Sequence, residues 1–441
     1  MPLAENLKTI LLWNLEDLDS AYGFLKHDVE EGHTNLCPDT NCFITSNRSY
    51  LESVDEFDAI IIHQRGSAFN GMGKLLFNLI FKGGNFKMKG LLISTNYLGM
   101  EKSDMPQKRK SKQYYIFWEI ESASYPYMDI HRLDNFFNWT MTTRQNSDII
   151  LPYGRIVQIK DHPNPGPKLD ALIQDFGLKN QHLAHSRSKI PKAAWFVSNC
   201  VTQSRRESLV KELATLMSID VYGNCSKLYN KDFKEKSCNK SDEFNGSKDG
   251  CYKMLEKNYR FYLSFENSLC QDYVTEKFFK PMEHDVLPIS LNGADMNQIS
   301  PPHSSINILD FNSTLDLINY LEKLSNDNAL YASYFWWKDY YEVQNELRHR
   351  AQSYCDLCAK LNNPQEPSKM YNDMYQWWVN ESNCHNYEKD ICLSNRTNCQ
   401  HYEQDMCLGN NSIHIVRYCY PYLYLFYCCS IKSKTKEDIA D

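Results

Sequence analysis

Between Tyr259 and Phe279 the chain places a set of polar groups where an apolar strand gives way to a helix. Tyr259-Arg-Phe-Tyr-Leu-Ser-Phe265 is aromatic and aliphatic enough for a buried strand. Glu266, Asn267, Ser268, Asp272 and Thr275 follow, and a helix opens at Thr275-Glu276-Lys277. Free N–H groups at a helix start carry partial positive charge, so the junction suits an anionic ligand. Lys277 adds a full charge there, and the Glu276 carboxylate can accept from two hydroxyls of a diol. Other groups with chemical potential also follow strands. Glu119 and Glu121 come after the apolar Tyr114–Trp118, two residues apart and so on one face if the strand continues. Ser198 and Asn199 follow Ala194–Val197, and Arg205 and Arg206 lie at the start of the next helix. An arginine fork matches phosphate oxygens, and a shift of one residue would exchange these two.

The segment Phe-Tyr-Leu-Ser-Phe-Glu-Asn-Ser268, followed by Asp-Tyr-Val-Thr-Glu-Lys277, closely resembles the signature of α1,3-fucosyltransferases that use GDP-fucose. Further motifs agree in order: Ile10-Leu-Leu-Trp13, Phe137-Asn-Trp-Thr140, Ser147-Asp148, Pro152-Tyr-Gly154, Trp195-Phe-Val-Ser-Asn199, Asp220-Val-Tyr-Gly223, Tyr331 to Trp336, and the Cys355–Cys358 pair. The resemblance spans residues 8–378. Ser198-Asn-Cys200 and Tyr375-Gln-Trp-Trp378 look most like the branch that fucosylates the N-glycan core. It implies a GT-B architecture, inverting transfer of L-fucose to O3 of a GlcNAc, and GDP-fucose as co-substrate. Two alternatives stand beside the core acceptor: an antennal lactosamine-type GlcNAc, and a catalytically silent glycan-binding relative.

Inverting transfer needs one base for the acceptor hydroxyl, cations or dipoles for the departing diphosphate, and an in-line sugar. The resemblance places the base at Glu121, in a motif whose usual Glu-Ser-Pro is here Glu121-Ser-Ala123; Glu119 competes for the role. Arg206 and Lys277 are expected on the diphosphate, Glu276 on the ribose and Glu266 beside the fucose or its developing positive charge. Asn267 and Tyr273 line the nucleotide and fucose, and Ser198 and Asn199 the guanine side. Tyr222 and Phe265 read as core. Pro288-Ile-Ser-Leu-Asn-Gly293 departs from the family's usual Gly-Pro or Gly-Ala strand end, though Asn292-Gly293 keeps turn chemistry. No tightly bound cofactor is expected, since basic side chains replace a metal, with Mn²⁺ left as a stimulant. Asp17-Leu-Asp19 matches the D-x-D of metal-dependent GT-A transferases but lies far from the signature. Asn70-Gly-Met-Gly-Lys74 lacks Walker spacing.

Composition fits a secretory-pathway protein. The net charge of −7 gives no basic footprint for nucleic acid. Sixteen cysteines accompany sequons at Asn47, Asn138, Asn224, Asn239, Asn245, Asn312, Asn380, Asn395 and Asn410, a density that favours an oxidising compartment. Cys355 and Cys358 then read as disulfide-bonded, and the resemblance implies ties to Cys37 and Cys42. The family location is the Golgi lumen, behind a single-pass type II membrane anchor, with an N-glycan on a glycoprotein as partner. No signal or anchor is visible before Thr9, which suggests a truncated or altered gene product. Ile413–Cys429 is short for a membrane span and contains Arg417.

The elements that must position these groups follow from alternation of apolar runs with helical stretches. Thr9–Trp13, Ala59–His63, Tyr114–Trp118 and Ile149–Leu151 read as strands, with Leu75–Phe81 and Asp134–Phe137 as helices. Residues 1–160 form an acceptor-side α/β domain. The turn-rich Asp161-His-Pro-Asn-Pro-Gly-Pro-Lys168 opens a linker over 161–190. Residues 191–378 form a second, GDP-fucose-binding Rossmann-like unit. Its strands are Ala194–Val197, Ile219–Tyr222, Phe261–Phe265 and Val286–Ser290, and its helices Arg205–Met217, Thr275–Glu283 and Leu315–Leu324. Residues 379–441 form a Cys-rich extension, with Cys384, Cys392, Cys399 and Cys407 as staples of a small appendage or, less favoured, metal ligands.

Overall fold

The computed structural model describes residues 7–14, 41–64, 105–125, 130–159, 168–184, 192–226, 250–344 and 346–387. The expected helix Leu75–Phe81, Asp17, Asp19, Asn70 to Lys74, Ile413–Cys429 and the cysteines at 37, 392, 399 and 407 lie outside these residues, as do Asn239, Asn245, Asn395 and Asn410.

Two parallel sheets organise the chain. In the first, β1 (Lys8–Leu12), β2 (Cys42–Thr45), β3 (Ala59–His63), β4 (Tyr114–Glu119), β5 (Trp139–Thr142) and β6 (Ile149–Ile150) lie in the order β2-β1-β3-β4-β5-β6. Ala-Ile-Ile-Ile-His is buried at every position, as expected of an interior parallel strand covered on both faces. The second sheet holds β8 (Lys192–Phe196), β9 (Ser218–Tyr222), β10 (Phe261–Phe265), β11 (Leu287–Leu291) and β12 (Ile306–Asn307), in the order β12-β11-β10-β8-β9. A separate antiparallel ribbon pairs β7 (Arg155–Gln158) with β13 (Tyr341–Gln344). The strands expected at 9–13, 59–63, 114–118, 219–222 and 261–265 are present within a residue or so. Asp134–Phe137 is not helical: a 3₁₀ turn ends at Leu133 and a turn runs on into β5.

The helices are α1 (Leu169–Lys179), α2 (Arg206–Leu213), α3 (Gly250–Asn258), α4 (Glu276–Met282), α5 (Met296–Ile299), α6 (Thr314–Asn326), α7 (Asn328–Ser333) and α8 (Glu346–Asn362). The start of α6 is set by Ser313, whose hydroxyl accepts the Asp316 N–H at 3.1 Å. Its buried Leu317, Ile318, Leu321 and Leu324 make one apolar stripe.

Three segments make contacts that the sequence reading does not contain. The expected linker 161–190 contains α1, which packs on α7 of the second unit, with Gly177 lying close enough that a Cβ would meet the Ala329 carbonyl at 2.4 Å. Proline-rich residues before it masked this helix. The end of the second stretch also packs on the first unit. After β13 the chain returns to the first sheet: Tyr354, Leu357 and Leu361 of α8 join one side of its core. Tyr371, Met374, Trp377 and Trp378 join the other. Arg144, only 2% exposed, donates to the Trp377 carbonyl and stacks over its ring at 4.6 Å. Finally, residues 381–387 are not part of a separate appendage. They dock on the second unit, with Leu269 and His385 bridged and Tyr387 donating its N–H to the Ser204 carbonyl.

Three disulfides are seen among the described residues. Cys42–Cys358 ties α8 to the edge strand β2, in agreement with the expected pairing. Cys355 is also disulfide-bonded. Cys200–Cys225 and Cys270–Cys384 were not anticipated. Among the sequons, Asn47, Asn224, Asn312 and Asn380 are exposed. Asn138 is buried: it is 8% exposed, and its amide accepts the Tyr115 N–H at 2.8 Å and donates to the Lys369 carbonyl at 2.9 Å. It therefore clips β4 to the C-terminal segment. Asn138→Ala should lower stability by about 1–3 kcal/mol, read as a fall in melting temperature. Glycopeptide mass spectrometry should find Asn138 unmodified; a glycan there would contradict its burial.

Candidate active site

The two sheets present the carboxyl ends of their strands to each other, and the loops after β4, β8 and β10 meet there. Several hydrogen bonds cross the seam. Tyr273 donates its hydroxyl to Glu121 Oε2 at 3.3 Å, and Ser124 Oγ donates to Ser268 Oγ at 2.7 Å. The Gln203 N–H donates to the Tyr125 hydroxyl at 3.1 Å, and the Gln145 N–H to Asp272 Oδ2 at 3.0 Å. Asp272 is left-handed, with φ 62°, a conformation that its seam bond helps to hold.

Glu121 stands two residues beyond the end of β4 and is half-buried at this seam. Ala123, in place of the family's proline, is 2% exposed and packs in the core of the first sheet, so the loop turns inward here without it. Glu119, the competing candidate, lies deeper. It is fully buried, with its carboxylate turned toward His63 and toward backbone N–H groups.

Tyr273 is 2% exposed. Burial pushes its phenol well above the ordinary tyrosine value, and the carboxylates of Glu121, Glu266 and Glu276 push it further. It therefore remains a protonated donor to Glu121 at neutral pH.

The signature loop holds an acid–cation cluster. Lys277 Nζ lies 2.9 Å from Thr275 Oγ1, 3.2 Å from Glu276 Oε1 and 3.5 Å from Glu266 Oε2. Burial pulls the Lys277 ammonium down, but Glu276 and Glu266 outweigh it and hold the group above its usual value. Burial works to raise Glu276, and Lys277 more than offsets this, leaving the carboxyl below its usual value. Glu266 behaves oppositely: burial dominates and raises it. Its carboxylate is fully covered and accepts the Thr275 N–H at 2.7 Å and hydroxyl at 2.9 Å. Thus Glu266 braces the start of α4 and meets Lys277, whereas Glu276 and Lys277 keep partly exposed faces. The Asn267 side-chain oxygen is buried with no hydrogen-bond donor among the described residues, which marks the spot as one a ligand's hydroxyl could satisfy.

Arg206, expected on the diphosphate, is tied into the fold. It is 2% exposed, donating to the Phe265 carbonyl at 2.5 Å and the Asn199 carbonyl at 3.2 Å. It fastens α2 to the ends of β8 and β10. Arg205, at the N-cap of α2 with φ 56°, is the partly exposed member of the pair. Sequence could not separate the two because helix phase was uncertain by one residue. Arg206→Ala should destabilise the fold by about 1.5–3 kcal/mol, since charged hydrogen bonds are lost. Arg205→Ala should leave the melting temperature in place and weaken GDP binding. Equal loss of stability in both variants would contradict this assignment.

Ser198 and Asn199 are exposed just beyond β8, beside the Cys200–Cys225 bridge. Tyr222 and Phe265 are core, as expected. Asn292 also keeps its turn role, its Oδ1 accepting the Ala294 N–H at 3.0 Å. Gly293 passes the Cys270 backbone so closely that a Cβ would sit 2.7 Å from the carbonyl oxygen. Likewise a Cβ on Gly154 would strike the Phe279 ring at 2.3 Å, which explains the glycine of Pro152-Tyr-Gly154. Sequence reasoning missed the contributions of Ser124, Ser268 and the Cys270–Cys384 clip. Only the position of Cys270 inside the signature hinted at the last. Among the described residues no three His, Cys, Asp or Glu are grouped as a metal would need, so the Mn²⁺ expectation finds no residues there to rest on.

Parallel α/β halves that meet at the carboxyl ends of their strands, one offering a carboxylate and the other a cation cluster, have the GT-B architecture of one class of glycosyltransferases. Its sequence narrows the class. The profile of glycosyltransferase family 10 (fucosyltransferase), C-terminal part, matches residues 186–377, and the fucosyltransferase N-terminal profile matches 86–154. The chain belongs to glycosyltransferase family 10, the fucosyltransferases. It is 33% identical over 397 residues to alpha-(1,3)-fucosyltransferase C of Drosophila melanogaster, covering 85% of this chain and 79% of that protein. It is 29% identical to glycoprotein 3-alpha-L-fucosyltransferase A of the same organism, over 86% of this chain and 61% of that protein. A crystal structure of an alpha1,3-fucosyltransferase with GDP-fucose aligns over 87% of this chain and 90% of its own, at 13% identity and a TM-score of 0.40.

Proposed function

We propose that this fucosyltransferase uses GDP-fucose as donor and makes an α1,3 linkage, with inversion, to O3 of the Asn-linked GlcNAc of an N-glycan core. The observation that carries the reading is the 3.3 Å contact between Glu121 of the first unit and Tyr273 of the signature loop. It brings the one half-buried carboxylate of the β4 loop to the edge of the acid–cation cluster. In the proposed step Glu121 takes the proton of the acceptor O3 hydroxyl. The O3–C1 bond forms as the bond from C1 to the β-phosphate oxygen breaks, and that electron pair leaves on GDP. Lys277 and Arg205 stabilise the negative charge that collects on the diphosphate. Glu276 meets the ribose hydroxyls, Asn267 and Tyr273 line the sugar end, and Ser198 and Asn199 face the base. Disulfides among the described residues support an oxidising site of action, the Golgi lumen.

The acceptor assignment rests on the likeness to glycoprotein 3-alpha-L-fucosyltransferase A and on the Tyr375-Gln-Trp-Trp378 segment. Competition between a core N-glycopeptide and an antennal lactosamine oligosaccharide tests it. Preferential labelling of the core GlcNAc is expected. Labelling of the antennal GlcNAc alone would transfer the assignment to the antennal class, and GDP binding with no product from either would support a silent relative.

A further inference from the structure

A buried acid–imidazole pair lies directly beneath Glu121, and the proposed reaction step does not use it. Glu119 closes β4 and is fully buried, as is His63 at the end of β3. Glu119 Oε2 is 3.2 Å from His63 Nε2. Its other oxygen accepts two consecutive backbone N–H groups, Ile120 at 3.0 Å and Glu121 at 2.8 Å. The β4–β5 ladder ends at the Glu119–Thr142 register pair, so these N–H groups lie where the strand has run out of partners. His63 is itself fixed. Asn14 donates to its carbonyl at 2.7 Å and accepts its N–H at 2.9 Å, and its ring meets Trp118 edge-on at 5.1 Å.

A carboxylate in such a place is costly to bury, and an apolar side chain of similar volume would serve stability as well. Its distinctive effect is directional. One oxygen takes two successive amides just where the strand ends, the second of them that of Glu121. The geometry points to Glu119, held by His63, as a positioning residue for Glu121. This inference rests on the reading of Glu121 as the base. The chain of contacts runs Asn14, His63, Glu119, the Glu121 amide, the Glu121 carboxylate, Tyr273, and thus joins the ends of three strands to the donor half.

The test uses the full chain and compares Glu119→Ala, Glu119→Gln, Glu121→Gln and the double variant Glu119→Ala/Glu121→Gln. For each, kcat and KM for fucose transfer and GDP affinity by calorimetry are measured. Misplacing a reacting group by an ångström costs about 10²-fold, so Glu119→Ala should lower kcat by about 30–100-fold. GDP affinity should stay within about twofold, because the change is confined to turnover. Glu119→Gln should recover to within about fivefold of wild type, since its amide oxygen still accepts both N–H groups. The double variant should be no slower than Glu121→Gln alone, as expected for a residue acting only through another.

Wild-type kcat in Glu119→Ala beside an inactive Glu121→Gln would overturn the inference and leave the base in place. An active Glu121→Gln would remove the base reading, and the inference with it. Multiplying losses in the double variant, or lost GDP affinity in Glu119→Ala, would make Glu119 a general structural support and also overturn the inference. If Glu119→Ala does not fold, Glu119→Met, which refills the volume without an acceptor, replaces it in the same comparisons.

Discussion

Glu121→Gln should lower fucose transfer by about 10²–10⁴-fold, the range that a positioned general base contributes. GDP affinity should hardly change, because the donor cluster lies across the seam. The substitution is a mild one structurally. Glutamine keeps the volume, and its amide oxygen can still accept from Tyr273, which now donates at 3.3 Å. What it loses is the lone pair basic enough to take the O3 proton. The loss should appear in kcat with little change in KM, the signature of an interaction made only in the transition state. Transfer within tenfold of wild type would remove Glu121 from the base role. Glu119 would not inherit it, since that carboxylate is fully buried.

The second large effect is expected at Lys277. Truncation to alanine should cost about 10²–10³-fold in kcat, as removal of a preorganised charge partner for a developing anion does. It should also weaken GDP binding, which separates it from Glu121→Gln. Lys277 is held from three sides, by Thr275, Glu276 and Glu266, and its ammonium is kept above the ordinary value. Its stabilising contribution is therefore present throughout the neutral range and lost only as pH rises through that elevated value. Acid acts on the partners in order. Glu266, raised by burial, takes up a proton first as pH falls. Glu276, held below its usual value, gives up its stabilising contribution only further down, as pH drops through its depressed folded value. Lys277→Arg should recover part of the activity through charge alone. Unchanged GDP affinity in Lys277→Ala would contradict a diphosphate role.

Much of this site can be read from residue order. The strands β1, β3, β4, β9 and β10 announce themselves as short apolar runs, because interior parallel strands are buried on both faces. The signature loop announces itself as polar groups where such a run stops. Residues 169–179 are less legible, since α1 stands behind a proline-rich turn and buries only Gly177 fully, its helical stripe being weak. The return of 346–380 to the first sheet is not legible at all. Helix α8 pairs with strands more than 200 residues earlier, and nothing local in Glu346–Asn362 names that partner. Arg206 shows a subtler limit. Arg205 is the left-handed cap and Arg206 the first helical residue, and nothing in two adjacent arginines says which of them the fold buries. The Cys270–Cys384 bridge marks a third limit, since sixteen cysteines carry no pairing information in their spacing.

The most direct measurement is the reaction itself: wild-type protein incubated with GDP-fucose and a defined core N-glycopeptide, the product read by mass spectrometry and NMR. One α-linked fucose on O3 of the Asn-linked GlcNAc, with stoichiometric release of GDP, is the predicted result. Bound GDP without transfer to that glycopeptide or to an antennal acceptor would contradict the account.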